Sequence, residues 1–197
     1  MYNQLITPQK YRTKKHLQQA LIYLTKEKGF QSVSVKDIVQ YAGYNRSTFY
    51  VHYQDKFDLA RDLLNTVLQG LEQSVEVPYH SKRKVDTEQL NQNSFQIISY
   101  IYDNRNFFEL ITCEDTIPEL HTKFPQTILK IYQQKFEFKT LYHLPVDMEY
   151  FTRYTAYGFY GLISMWIHSG FEIPQEEFID EIIKLARTHM ASVRYLG

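Results

Sequence analysis

Asn45, Arg46, Ser47, Thr48 and Tyr50 bring an amide, a guanidinium and three hydroxyls into six consecutive positions, and Lys36 adds an ammonium ten residues earlier. These groups suit the binding of an oxygen-rich polyanion. An Arg can give two parallel hydrogen bonds to guanine O6 and N7, worth about 1–3 kcal/mol of base discrimination, whereas hydroxyls and Lys reach phosphate oxygens. The residues that would do covalent or metal chemistry are not arranged for it. His16, His52, His80, His121, His143, His168 and His189 are scattered, with no His-Glu-x-x-His and no paired cysteines. Ser164 lacks the Gly-x-Ser-x-Gly frame of a hydrolase, Cys113 has no His near it in sequence, and no Gly-rich phosphate loop occurs. The expectation is a binding protein, not an enzyme, with no metal and no cofactor.

For the polar cluster to act as a unit it must sit on a short helix with a polar outer face and an anchored inner one. The flanking residues supply this. Ser34-Val35-Lys36-Asp37 resembles a capping box, with Asp in place of Glu or Gln, and opens a short helix whose Ile38, Val39 and Ala42 face inward. Gly43 stops it, Tyr44 and Asn45 make the turn, and Asn45 can cap a helix from Arg46 to Val51 anchored by Phe49. Two short helices joined by a tight Gly-containing turn follow helix-turn-helix logic: the second lies in the major groove, about 12 Å wide, with its N-terminal amides toward phosphate. Upstream, a helix from Pro8 to Lys28, capped by Thr7, buries Leu17, Ala20, Leu21 and Leu24 and ends at Gly29. Downstream, Asp55 caps a helix from Lys56 to Ser74 with Leu59, Leu63, Leu64, Val67, Leu68 and Leu71 on its apolar face.

The remainder also reads as helical, at about 87–102, 104–113, 118–142 with a kink near Pro125, 147–169 and 174–194. Residues 77–86 read as a solvated loop in which Lys82, Arg83 and Lys84 could also touch a phosphate. The fold class is therefore all-α: nine helices, no strand, an N-terminal helix-turn-helix domain over residues 1–55 and a helical domain over 56–197.

Charge follows the same division. Residues 1–55 hold eight Lys/Arg against three acids, a net +5, and the rest hold fourteen against nineteen, a net −5. A basic head on an acidic body fits a head that alone meets the polyanion. One cysteine cannot form an internal disulfide, no signal-peptide or membrane-length apolar run occurs, and the chain reads as cytoplasmic.

Residues 8–60, and above all the stretch Gly29 to Lys56 with its Gly-Phe connection, Ala-Gly turn, Ser47-Thr48-Phe49-Tyr50-Val51-His52-Tyr53 and following Asp55-Lys56, closely resemble the DNA-binding domain of the TetR family of regulators. The resemblance implies roles by position. Arg46 and Ser47 would face base edges with Lys36 close by. Thr48, Tyr50 and Lys56 would hold phosphates, and Ser34 could do so from its capping position. Tyr44 and His52 would contact backbone or pack locally. Farther on, Tyr102 to Ile111, and Tyr154 to Trp166 ahead of Gly170-Phe-Glu-Ile-Pro174, resemble a C-terminal subgroup of the family that includes a co-activator of a dihydroxyacetone kinase operon.

The family pattern implies a C-terminal domain that binds an inducer and forms a homodimer. The high aromatic share, 17 Tyr and 13 Phe, is consistent with a cavity, and Tyr102, Phe107, Phe108, Phe124, Tyr132, Phe136, Tyr154 and Tyr157 are its candidate lining, with plain core packing the alternative. Small residues Ala156, Gly158, Gly161 and Ser164 permit close helix approach. Around them Phe159, Leu162, Ile163 and Trp166, with Phe178, Ile182, Ala186 and Met190 on the last helix, are expected to form a dimer interface, unless they pack only within their own chain. A twofold dimer would read a near-palindromic operator. Repression is the default sign for the family. The rival reading is a co-regulator that acts through protein contacts with no operator of its own, which the intact basic face at Lys36, Arg46 and Lys56 argues against.

Overall fold

The computed structural model describes residues 8–76, 84–143 and 145–197. Thr7, with its expected capping role, and Lys82 and Arg83 of the expected loop lie outside the described residues. The chain divides into two compact units, one running to Thr66 and taking in Leu110–Leu120, the other comprising Val67–Glu109 and His121–Gly197. The expected boundary at residue 55 falls within the first of these.

The first unit holds α1 (Pro8–Lys28), α2 (Val35–Ala42), α3 (Arg46–His52) and the first half of α4 (Lys56–Ser74). Leu17, Leu21, Phe30, Ile38, Phe49 and Leu59 have no exposed surface and make its core. Gly29 and Gly43 end α1 and α2 with φ of 77° and 74°, left-handed values that a side chain would strain. At Gly29 a Cβ would also collide with the Asp115 carboxylate. Asp115 clasps this turn: its carbonyl accepts from Phe30 N at 3.0 Å and its carboxylate from Gln31 N at 2.9 Å.

The second unit contains α5 (Gln96–Asp103), α6 (Arg105–Phe108), most of α7 (Leu120–Lys135), α8 (Met148–His168) and α9 (Gln175–His189). Gly70 on α4 admits the Tyr100 ring, whose hydroxyl donates to Val67 O at 2.9 Å. Trp166 stacks on Phe178 with ring centroids 4.4 Å apart, and its Nε1 donates to Ile173 O at 2.8 Å.

The expectation of no strand is overturned. A three-stranded antiparallel sheet of order β1 (Lys84–Asp86), β3 (Met190–Tyr195), β2 (Phe136–Thr140) closes the second unit. Val193 sits opposite Val85 on one side and Phe138 on the other. The helix expected to Tyr142 stops at Lys135, the last helix stops at His189, and the helix expected from Thr87 begins only at Gln96 after two short 3-10 turns. The reason is local. Phe136-Glu-Phe-Lys-Thr140 alternates apolar and polar residues, the period of a half-buried strand, and the sheet ladder satisfies the backbone that the helices relinquish. Among the described residues, no helix is long and apolar enough to cross a membrane.

Candidate functional site

In the first unit, two caps fix the helix-turn-helix segment. Ser34 Oγ accepts from Asp37 N at 3.2 Å, while Asp37 Oδ2 accepts from Ser34 N at 2.9 Å and from Ser34 Oγ at 2.7 Å. The Lys28 ammonium, 2.8 Å from the same oxygen, together with these Ser34 bonds holds the Asp37 carboxyl far below the usual carboxylate range. Asn45 Oδ1 gathers three donors: Thr48 N at 2.8 Å, Thr48 Oγ1 at 2.9 Å and Ser47 Oγ at 2.7 Å. One amide oxygen therefore sets the start of α3 and orients both hydroxyls that follow it.

Beyond these caps, α3 faces solvent. Arg46 and Lys36 are exposed and, among the described residues, have neither a hydrogen bond nor an ion pair. Tyr50 is 57% exposed, its ring edge-on to the buried Phe49 at 5.5 Å. Tyr44 joins His16 through a 2.9 Å contact between its hydroxyl and Nδ1. His52 is half-buried. Burial first, then the charges of Lys14 and Lys10, lowers its affinity for a proton, so it adds no charge to this face near neutrality.

Behind the segment lies a cluster that the sequence reading did not single out. Tyr53, only 3% exposed, donates its hydroxyl to Asp62 Oδ2 at 2.7 Å, and the same oxygen takes Gln18 Nε2 at 3.2 Å and Lys14 Nζ at 3.3 Å. Burial and the Asp62 carboxylate push the Tyr53 phenol far above its ordinary range, so it remains a donor. This bond ties the end of α3 to α4, and the Asp62 carboxylate also draws in α1. An amphipathic face with an isolated Asp at i+9 from a Tyr gives no recognisable periodic signal, which is why it escaped notice.

In the second unit, a cavity of about 340 Å3 opens among α5, α7, α8, α9 and the sheet. Phe95, Tyr132, Phe138 and Phe159 supply much of its aromatic wall, and His189 is the titratable nitrogen on it. Among the described residues, no Asp, Glu, Lys or Arg lines it. Among the described residues, no group of three or more His, Cys, Asp or Glu could hold a metal ion.

Residues 19–63 match the profile of bacterial regulatory proteins of the tetR family, and residues 88–188 match a profile of the C-terminal region of transcriptional regulators within that family. The chain belongs to the TetR family. It is 22% identical over 157 residues to YxbF of Bacillus subtilis, an uncharacterized HTH-type transcriptional regulator; the match covers 77% of this chain and 39% of YxbF, so the chain spans well under half of that protein's length. Solved structures share the fold. A putative TetR-family regulator from Syntrophomonas wolfei superposes with a TM-score of 0.66 at 16% identity, over 90% of this chain and 94% of that one. The dihydroxyacetone kinase operon activator DhaS gives 0.58 at 18% identity, over 89% and 94%. The fatty acid degradation regulator FadR of Bacillus halodurans gives 0.60 at 12% identity, over 88% and 93%.

Within this TetR-family chain the nominated residues part ways. Lys36, Arg46 and Tyr50 stand exposed on the helix-turn-helix face. Ser34, Ser47 and Thr48 turn their hydroxyl protons to Asp37 or Asn45. Lys56 turns inward: its ammonium donates to the carbonyls of Phe30, Gln31 and Val33 at 2.8, 2.9 and 2.9 Å, which uses all three of its N–H bonds.

Of the nominated cavity residues, Tyr132, Phe136 and Tyr154 line it. Phe107, Phe108 and Phe124 are fully buried core, Tyr102 stacks on Trp166, and Tyr157 is half exposed outside the cavity. The nominated dimer residues are mostly interior: Phe159, Ile163, Trp166, Phe178, Ile182, Ala186 and Met190 are each 8% exposed or less within their own chain, and Leu162 is partly open. Phe159, Leu162, Ile182, Ala186 and Met190 line the cavity instead. The outer stripe of α8 is Tyr150, Tyr154, Gly158, Gly161 and Met165, of which Tyr154 and Gly158 also border the cavity.

Proposed function

We propose that this chain is a DNA-binding transcriptional regulator that places α3 in the major groove of a near-palindromic operator as a homodimer, and that a small molecule in the apolar cavity modulates its affinity. The observation that carries the reading is the unpaired Arg46 on a rigidly capped, solvent-facing α3, with exposed Lys36 on the neighbouring helix and Tyr50 one turn on. Arg46 reads a base edge. Lys36, Tyr50 and the helix N-terminus meet phosphates. The net +5 of the first 55 residues supports the same face as the polyanion site.

The dimer forms through the outer stripe of α8 with Leu185 of α9, and not through the inner stripe. Gly158 and Gly161 support this assignment, since a Cβ on either would meet nothing of its own chain within 4 Å, leaving room for another helix. The proposed sign is repression, by covering promoter DNA. Ligand in the cavity then favours a conformation in which the two α3 helices no longer match the half-site spacing.

The test is capture of genomic fragments by the purified protein, sequencing, and titration of the recovered operator at several salt concentrations. Steep weakening with salt and at least about tenfold loss in Arg46→Ala, with an unchanged circular dichroism spectrum, are expected. Retention of no fragment above background would overturn the reading in favour of a co-regulator acting through protein contacts. A reporter driven by the recovered promoter, with and without the protein, fixes the sign.

A further inference from the structure

Beside Arg46 and Tyr50, α3 exposes an apolar side chain. Val51 is 70% exposed, the most open large apolar residue of the first unit among the described residues. Its place on the helix is set by Phe49, which has no exposed surface and marks the inward direction. At 3.6 residues per turn, the positions two before and two after Phe49 each lie about 160° around the helix from it. Ser47 and Val51 therefore project most directly outward, one turn apart, with Arg46 and Tyr50 flanking them on one side and Thr48 on the other. Ser47 is already engaged, since its hydroxyl donates to Asn45 Oδ1 at 2.7 Å. The middle of the outward face of α3 thus ends in the two methyl groups of Val51.

Folding does not account for a valine there. A β-branched residue loses side-chain freedom in a helix and is a poorer helix former than Ala, Lys or Glu. At this exposure it recovers little of that by burial within its own chain. A major groove does account for it. The base edges in that groove offer hydrogen-bonding groups and one apolar feature, the C5 methyl of thymine. Valine has no polar side-chain atom, so a hydrogen-bonding edge set against it would lose water and gain nothing.

We propose that Val51 reads thymine: its methyl groups pack on the C5 methyl of one thymine in each half-site, the same half-site in which Arg46 contacts a base. The inference rests on the reading of α3 as the helix that enters the groove. It adds a determinant of sequence that needs no hydrogen bond.

The test deletes single methyl groups from the DNA. In the operator recovered by genomic capture, each symmetry-related pair of thymines is replaced in turn by deoxyuridine, which keeps every hydrogen-bonding group and lacks only the methyl. Affinity for the full chain is read by fluorescence anisotropy. At one pair the replacement is expected to weaken binding by about fourfold in each half-site, and so by more than about tenfold over both. Val51→Ala should weaken binding to the thymine operator by a similar factor and bring the two operators to within about twofold of each other. Val51→Ile, which keeps an apolar tip, should retain the preference for thymine. Insensitivity of the unaltered protein to every such replacement would overturn the proposal, and that comparison needs no variant to fold. A thymine preference that persisted undiminished in Val51→Ala would overturn it too, by assigning the methyl to another side chain. Failure of the underlying reading looks different: with no operator recovered, or with Arg46→Ala binding as tightly as the unaltered chain, α3 is not the reading helix and the role of Val51 falls with it.

Discussion

Lys56 shows how a side chain of the right type can be committed elsewhere. Three carbonyls at the end of the α1–α2 connection converge on its ammonium, and the Phe30 ring lies 4.7 Å beneath it. Burial, aided by the nearby charge of Lys28 and partly opposed by that of Asp115, lowers its affinity for a proton. Lys56→Met is therefore expected to destabilise the fold by about 1–2 kcal/mol in denaturant titration, the range for hydrogen bonds to a charged group discounted for partial exposure. The slope of log affinity for operator against log salt should stay unchanged, whereas a phosphate-contacting Lys would reduce it by about 1. Asp37 carries the pH prediction. Its folded carboxyl is held below the unfolded value by Lys28 and Ser34, so its contribution is complete above the ordinary carboxylate pKa of about 3.9 and is lost only as pH falls below it. Asp37→Asn should lower Tm at neutral pH, and the gap from the unaltered protein should close in strongly acid solution. A gap that persisted or widened there would show that the capping geometry, and not the charge, matters.

The elements divide into those announced by composition and those decided by pairing. Val193 belongs to the second kind: it lies on the central strand between Val85 and Phe138 and also lines the cavity. Proline there removes a ladder hydrogen bond from a strand paired on both sides, so Val193→Pro should cost at least about 2 kcal/mol, measured by thermal unfolding. The four N-terminal helices were legible because their boundaries are written in single residues, Gly29, Ser34, Gly43, Asn45 and Asp55, whose capping roles need no distant partner. The Arg46 face was legible for the same reason. The strands were not. Phe178, Ile182, Ala186, Met190 and Val193 continue a helical stripe in sequence, and only the pairing of β3 with chain more than fifty residues earlier in β2 converts its end to a strand. The same stripe carries the expected interface residues, and Trp166 and Phe178 look like surplus apolar surface until Tyr102 and Phe171 are seen packed against Trp166. Periodicity identifies which face is apolar. Whether that face meets its own chain or another depends on contacts between distant residues.

At the scale of the whole molecule, the proposed operator symmetry requires two chains, and a stable pairing buries on the order of 800 Å2 from each. The outer stripe of α8 has the means for such a pairing, with Tyr150 and Tyr154 76% and 72% exposed and Gly158 and Gly161 opening onto empty space. Gly161→Arg separates this role from folding. Position 161 is an exposed helical site with no neighbour to strike, and replacing glycine inside a helix gains up to about 1 kcal/mol of propensity, so the isolated chain should be no less stable than before. A guanidinium pressed into a helix crossing, by contrast, cannot be desolvated there without a partner. The expected outcome is the mass of a single chain by light scattering, with affinity for a two-half-site operator reduced by about 100-fold or more and affinity for an isolated half-site unchanged, because tethered binding of the second half-site is lost. A variant that kept twice the chain mass would move the interface off α8, and one that lost the half-site as well would mean that α3 depends on the pairing for its own conformation.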